Sequence, residues 1–325
     1  MPKFDVSSDL VRSDTAVKAR HRAHQSAYRA DVLGLPSGPP LGQARHHYAA
    51  LGNFLPEYHD GISAAEAGWN LMSAAARTYA TARLDVIKAA GGMAESGRLW
   101  RNMLSSQPLA FSIVGEFRAH ERAALSVLER LTRLDLVEFG HLDSGKPAAI
   151  DPWVLNGLQA EWAPPMRQHT GDRSGFDMAA VVRTKAGDRV LVTVEVKYVD
   201  SFSPQKLDIP KYASHLEEAG IAEADANDLV NLGASQFLRS LLLTNSVRQR
   251  GLRGDSHFDQ ALAVILCRAD DQRAHKVVEA VGQACSAPGL TVGMWSHEQL
   301  LSKAAAEPAL HEWAQSMQRR YVLGP

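Results

Sequence analysis

Residues 189–200 read RVLVTVEVKYVD. Laid out as a strand, Val190, Val192, Val194, Val196 and Tyr198 fall on one face and Leu191, Thr193, Glu195, Lys197 and Val199 on the other. A continuous β-branched stripe of this length suits a central strand. Yet the second face carries a carboxylate and an ammonium as neighbours. Charges in so apolar a strand are costly without partners, so Glu195 and Lys197 are expected at a cleft.

The chain has 325 residues, enough for one large domain or two ordinary ones. Its 45% hydrophobic and 22% charged content is that of a soluble globular protein. A net charge of −1 excludes a global basic signature, so any nucleic-acid contact must come from a local patch. The two cysteines, Cys267 and Cys285, lack a near partner at metal spacing. A disulfide framework is therefore not expected, and the cytoplasm is the expected compartment. The first residues show no basic-then-apolar pattern of a signal peptide. No apolar run reaches membrane-spanning length, so no membrane partner is expected. The thirteen histidines, His46-His47 among them, show no zinc spacing and read as surface or capping residues.

Along the chain, residues up to about 95 read as helices and loops. DTAVKARHRAHQSAYRADVLG is a basic helix that stops before the turn cluster LPSGPPLG. A long Ala-rich helix ends at Gly91-Gly92. A further helix is expected over 108–134, capped by Ser105 or Ser106 and buried through Ala110, Val114, Phe117, Ala124, Leu128 and Leu131. Strands then follow over 156–164 and 175–184, and a turn at Lys185–Asp188 leads into the strand of 189–200. Helix is expected over 228–251, strand over 258–269, then helix, a short strand and helix to the end. This alternation around a small sheet is α/β.

Asp177 stands near the start of the second strand, and the hairpin can return the chain so that it lies near Glu195. Two close carboxylates repel, and a divalent cation is the natural third party. A lysine beside them could orient a water or stabilise developing negative charge. That set suits metal-assisted phosphodiester hydrolysis. The same residues also fit a plain structural ion pair on a sheet face.

GFDMAAVV and TVEVKYVDSFSP together resemble the core of the PD-(D/E)XK nuclease superfamily, the restriction-endonuclease-like fold. NMLSSQPLAFSIVGEF (102–117), LQAEWAP (158–164), EVKYVDSFSP (195–204) and SQFLRSLLL (235–243) are similar to a bacterial branch of it. The similarity covers roughly residues 95–270, and weakly the basic N-terminal helix. The proline of the family's name is absent, since Phe176 precedes Asp177.

The resemblance implies an α/β fold with a restriction-endonuclease-like core: helix, three-stranded meander, helix, strand. A helical N-terminal extension would span 1–95 and a nuclease-like domain 96–325. It implies Mg²⁺ or Mn²⁺ as cofactor and nucleic acid, DNA foremost, as substrate. Asp177 and Glu195 become metal ligands, Lys197 the catalytic lysine, and Gln236 a catalytic polar residue on the helix after the third strand. A first-helix glutamate, Glu116 or Glu121, would complete the metal site. Glu121 shares the stripe of Phe117, Ala124 and Leu128 and is expected to face the sheet. Glu161, on the first strand, is the alternative to either.

For phosphate contact the loop 164–175 offers Arg167, His169 and Arg173, and RQRGLRG offers Arg248, Arg250 and Arg253. Arg239 shares a polar helix edge with Gln236 and Ser240. The loop 164–175 reads equally as a solvated loop, and RQRGLRG reads as one in preference to a phosphate contact. A homo-oligomer is compatible with the sequence. Two rivals stand beside a nuclease. One is a nuclease-fold protein without turnover, serving as a nucleic-acid binder or scaffold. The other is an unrelated α/β protein whose E-x-K is only an ion pair.

Overall fold

The computed structural model of the protein describes residues 11, 13–89, 95–142, 155–252 and 257–323. Gly91-Gly92 and Arg253 lie outside the described residues. Six strands form one mixed sheet: β1 (Leu136–Phe139), β2 (Leu158–Trp162), β3 (Phe176–Thr184), β4 (Arg189–Val196), β5 (Gln260–Cys267) and β6 (Leu290–Ser296). Their order is β6-β5-β4-β3-β1, and β2 also pairs with β3. β4 is antiparallel to β3 and parallel to β5, so the apolar run of 189–196 is central. Val190, Val192, Val194 and Val196 are all buried. Each contributes roughly 1.5 kcal/mol or more on burial, which outweighs the cost of one charged pair at the strand's end.

The opposite face of β4 meets a helix. Of the helices discussed, ten are labelled: α1 (Ala16–Ala27), α2 (Ala74–Ala89), α3 (Ser106–Ala119), α4 (Glu121–Thr132), α5 (Ile209–Glu218), α6 (Glu223–Leu232), α7 (Ser235–Arg250), α8 (Gln272–Ala284), α9 (His297–Ala305) and α10 (His311–Tyr321). Leu191 packs with Leu243 and Val247 of α7. Thr193 Oγ1 lies 2.7 Å from Thr244 Oγ1. The next residue on this face is Glu195, so α7 covers the charged side of the strand.

Three expected helices are each divided. The one over 108–134 breaks at His120, where α3 ends and α4 begins. The one over 228–251 breaks at Gly233, whose φ of 81° closes α6 in the left-handed region that glycine adopts without strain. The last divides around Pro308. Strand β1 and helix α5 were not expected. β1 has only four residues, with a register shift and an exposed Val137, so it carries little alternation.

The chain falls into two compact units. One comprises residues 1–119, 198–200 and 310–325, the other 120–197 and 201–309. This division falls at 119/120 and draws α10 into the first unit. Within that unit Tyr28, Leu35, Leu55 and Met103 form a core cluster. α2 and α3 approach closely at Gly115, where a Cβ would strike the backbone of Ala76. Tyr198 belongs here rather than on the valine face: its hydroxyl lies 3.0 Å from His21 Nδ1 and accepts from Gln25 Nε2 at 2.9 Å. Strand β4 has already ended at Val196. Among the described residues, no helix is long and apolar enough to cross a membrane.

Candidate active site

The register of the second unit's sheet gathers carboxylates. Met178 pairs with Val194, so the next step along both strands sets Asp177 beside Glu195. Ala160 pairs with Met178 and Trp162 with Phe176, so Glu161 lies between those pairs, across from Asp177. Glu161, Asp177 and Glu195 thus form one row over three strands spaced about 4.8 Å apart. Asp177 and Glu195 share a sheet face, which the ion-pair rival does not require. Glu161 has a φ of 48°, left-handed for a residue within a strand. Such a conformation costs about 1–3 kcal/mol and persists where the surroundings over-determine it. Here Trp162 stacks on Phe176, with centroids 5.8 Å apart, immediately beside the row.

Hydrogen bonds close the site from the α7 side. Lys197 Nζ lies 2.9 Å from Glu195 Oε1 and donates to Gln236 Oε1 at 3.0 Å. Gln236 Nε2 donates to the same Glu195 oxygen at 2.5 Å. The backbone N–H of Ser203 donates to Gln236 Oε1 at 2.7 Å. Two donors on Oε1 orient the amide, so its NH₂ must face Glu195. Asp177 Oδ2 accepts from the Val196 N–H at 2.7 Å. Glu195 and Lys197 are both buried.

The Asp177 carboxyl is held well above the usual carboxylate range. Burial acts first, then the Glu195 and Glu161 carboxylates; Lys197 and the Val196 N–H oppose them. A carboxyl raised in the folded state takes up a proton on folding. Stability of the metal-free protein should therefore fall as pH rises from the ordinary value of 3.8 through the raised one, and stay lower above it. Asp177→Asn keeps an oxygen acceptor for Val196 and removes the charge. In chelator it should flatten that fall and raise Tm at neutral pH, by about 2–4 °C for each kcal/mol of repulsion relieved. Thermal unfolding across pH checks this; an unchanged profile would mean the row is not repulsive.

The other sequence-derived candidates scatter. Glu121, expected to face the sheet, is exposed at the start of α4, while Glu116 is buried on α3 in the first unit. Phe117, Ala124 and Leu128, whose stripe Glu121 was expected to share, are all buried, but Glu121 is the first residue of α4 and is exposed. Arg167 and Arg173 are exposed on the loop before β3. His169, on the same loop, is buried, with Nδ1 3.0 Å from Ser246 Oγ. Burial, then Arg250 and His215, push its pKa down to about 4, so it carries no charge for phosphate at neutral pH. His21 and His297 are likewise buried rather than at the surface.

Arg239 is half-buried, and the Asp172 and Glu195 carboxylates act on it against the desolvation that lowers its pKa. It lies one turn along α7 from Gln236 and donates from Nη1 to the Gln205 carbonyl. Arg248 lies twelve residues beyond Gln236 on α7, about 18 Å along the axis, bonded to Asn245. Arg250 bonds Ser246 and Glu218. The Lys197 ammonium and the Arg273 guanidinium also stand over the Phe202 ring, and Ser203 reaches Gln236; sequence reading gave Phe202, Ser203 and Arg273 no role. The run SFSP directly after the charged strand was the signal for the first two; nothing local marked Arg273.

A family model described as the PD-(D/E)XK nuclease superfamily matches residues 12–323, well beyond the 95–270 over which similarity was expected. No curated protein and no solved structure matches the chain.

Proposed function

The chain belongs to the PD-(D/E)XK nuclease superfamily, and on that premise we propose that it is a metal-dependent nuclease hydrolysing phosphodiester bonds in DNA. The observation that carries this reading is the carboxylate row capped by Lys197 and Gln236. Its donor set fits a divalent cation: hard oxygen ligands, mutually repulsive, with the nearby ammonium engaged by Glu195. Among the described residues no group of three or more His, Cys, Asp and Glu side chains has metal-holding geometry. Mg²⁺ or Mn²⁺ bound through one or two carboxylates, water and phosphate oxygens does not need one.

Asp177 and Glu195 would hold the ion, with Glu161 as the further carboxylate in the row. When bound, the ion supplies charge stabilisation at phosphate oxygens and a more acidic water. Lys197, fixed by Glu195 and Gln236, would offset negative charge developing on the phosphate. Gln236 would hold both partners in register. The test is cleavage of duplex DNA, single-stranded DNA and RNA in Mg²⁺, Mn²⁺ or chelator. DNA should be cut only with metal. Metal binding without cleavage of any substrate would favour the rival, a nuclease fold that binds nucleic acid without turnover.

Arg167 and Arg173 would contact phosphates. Log affinity for duplex DNA should fall against log salt by about 0.9 per phosphate contacted. Arg167→Ala with Arg173→Ala should lower that slope by about one to two units, and Arg248→Ala should leave it unchanged. Affinity measured in Ca²⁺ against salt checks this. A slope indifferent to both loop arginines would move the contact surface elsewhere.

A further inference from the structure

The segment after the charged strand is tied down over the start of α7. Ser203 N–H donates to Gln236, Arg239 Nη1 donates to the Gln205 carbonyl at 3.1 Å, and Leu207 N–H donates to Ser235 Oγ at 3.2 Å. Phe202 begins this strap and is buried. The Lys197 ammonium stands over its ring, Nζ 5.2 Å from the centroid. The Arg273 guanidinium stands over the same ring at 5.8 Å. A ring face attracts a cation without offering an oxygen that could compete for its protons. Lys197 is therefore bounded by Glu195, Gln236 and an aromatic ring, which limits where its ammonium can go.

We propose that Phe202 is a positioning residue for Lys197: its ring confines the lysine ammonium beside Glu195 and Gln236, and Ser203, next in the chain, fixes the amide that completes the arrangement. In its catalytic consequence this rests on the nuclease reading above. In its structural claim it does not, and the two are tested separately.

The structural arm is acylation of the Lys197 amine by a small succinimidyl ester, read by peptide mass spectrometry. Exposed Lys276 is the reference, and the buried Cys267 thiol reports unfolding. Phe202→Leu and Phe202→Met remove the ring and keep apolar bulk. Either should raise Lys197 labelling by roughly tenfold, the size of one desolvated cation–π contact, with Lys276 and Cys267 unchanged. Phe202→Tyr keeps the ring and should hold labelling within about twofold of wild type. Unchanged labelling in both ring-less variants overturns the proposal. If every replacement exposes Cys267, Phe202 is a core residue and the proposal also falls.

The kinetic arm asks whether Phe202 acts through Lys197. Phe202→Leu should lower kcat about tenfold with KM within about twofold, and should have no further effect in a Lys197→Met background. Losses that multiply in the double variant would show an independent role and overturn the proposal. If the wild type cuts no nucleic acid, the nuclease reading fails, while the labelling arm still decides what holds Lys197.

Discussion

Glu195→Gln is expected to abolish divalent-cation binding and cleavage together while leaving the fold intact. The amide has the shape of the carboxylate, and its oxygen can still accept from Lys197 and Gln236, which now reach Glu195 Oε1 at 2.9 and 2.5 Å. What disappears is one negative charge. Lys197 then stands beside a neutral group, so its ammonium repels an incoming cation instead of being offset. Loss of outer partners alone weakens metal sites about 10–100-fold, and loss of a ligand should exceed that. Calorimetric titration with Mg²⁺ and Mn²⁺, with thermal unfolding as the control for folding, measures the effect. Wild-type cleavage in Mg²⁺ by this variant would refute the assignment of the site.

Lys197→Met should separate binding from turnover. The substitution keeps the aliphatic stem and deletes a buried charge. Cleavage should drop about 100-fold or more, the usual cost of one electrostatic stabiliser in a water-poor site. Metal affinity should hold or tighten, because a cation is removed from beside the ion. Without metal the variant should also be less stable, by about 3 kcal/mol, since breaking a buried pair leaves Glu195 uncompensated next to Asp177. Added Mg²⁺ should restore much of that stability. Cleavage rate, calorimetry and Tm with and without metal read all three. An unchanged rate with weakened metal binding would make Lys197 structural.

Much of the site could be read directly from residues 175–204. Strand alternation puts Glu195 and Lys197 on one face, and the tight turn at Lys185–Asp188 returns Asp177 to Glu195. Gln236 came from the family resemblance alone, since the polar edge it shares with Arg239 and Ser240 reads equally as a surface helix edge. The helix glutamate went the other way. Glu121 stands at the first position of a helix that begins after His120, a start that neither proline nor glycine announces, and it is exposed although Phe117, Ala124 and Leu128 are buried; Glu116 is buried on α3. His169 likewise reads as a loop cation, yet it is a buried neutral ring beside Ser246, seventy-seven residues away.

Alternation along β4 and the hairpin between β3 and β4 are properties of a few adjacent residues and are legible without any distant contact, whereas the stop at Gly233, inside the helix expected over 228–251, was not read. Backbone geometry with period two acts before any distant contact forms. Packing between distant segments sets the rest: Gln236 bridges Glu195 and Lys197, Arg248 lies about three turns along α7 from Gln236, and Glu161 faces Asp177 from a left-handed backbone. Gln236 and Glu195 are forty-one residues apart, and they meet because Leu191, Leu243 and Val247 must be buried together. Burial selects which faces meet, and those faces carry polar residues into contact that no local pattern relates.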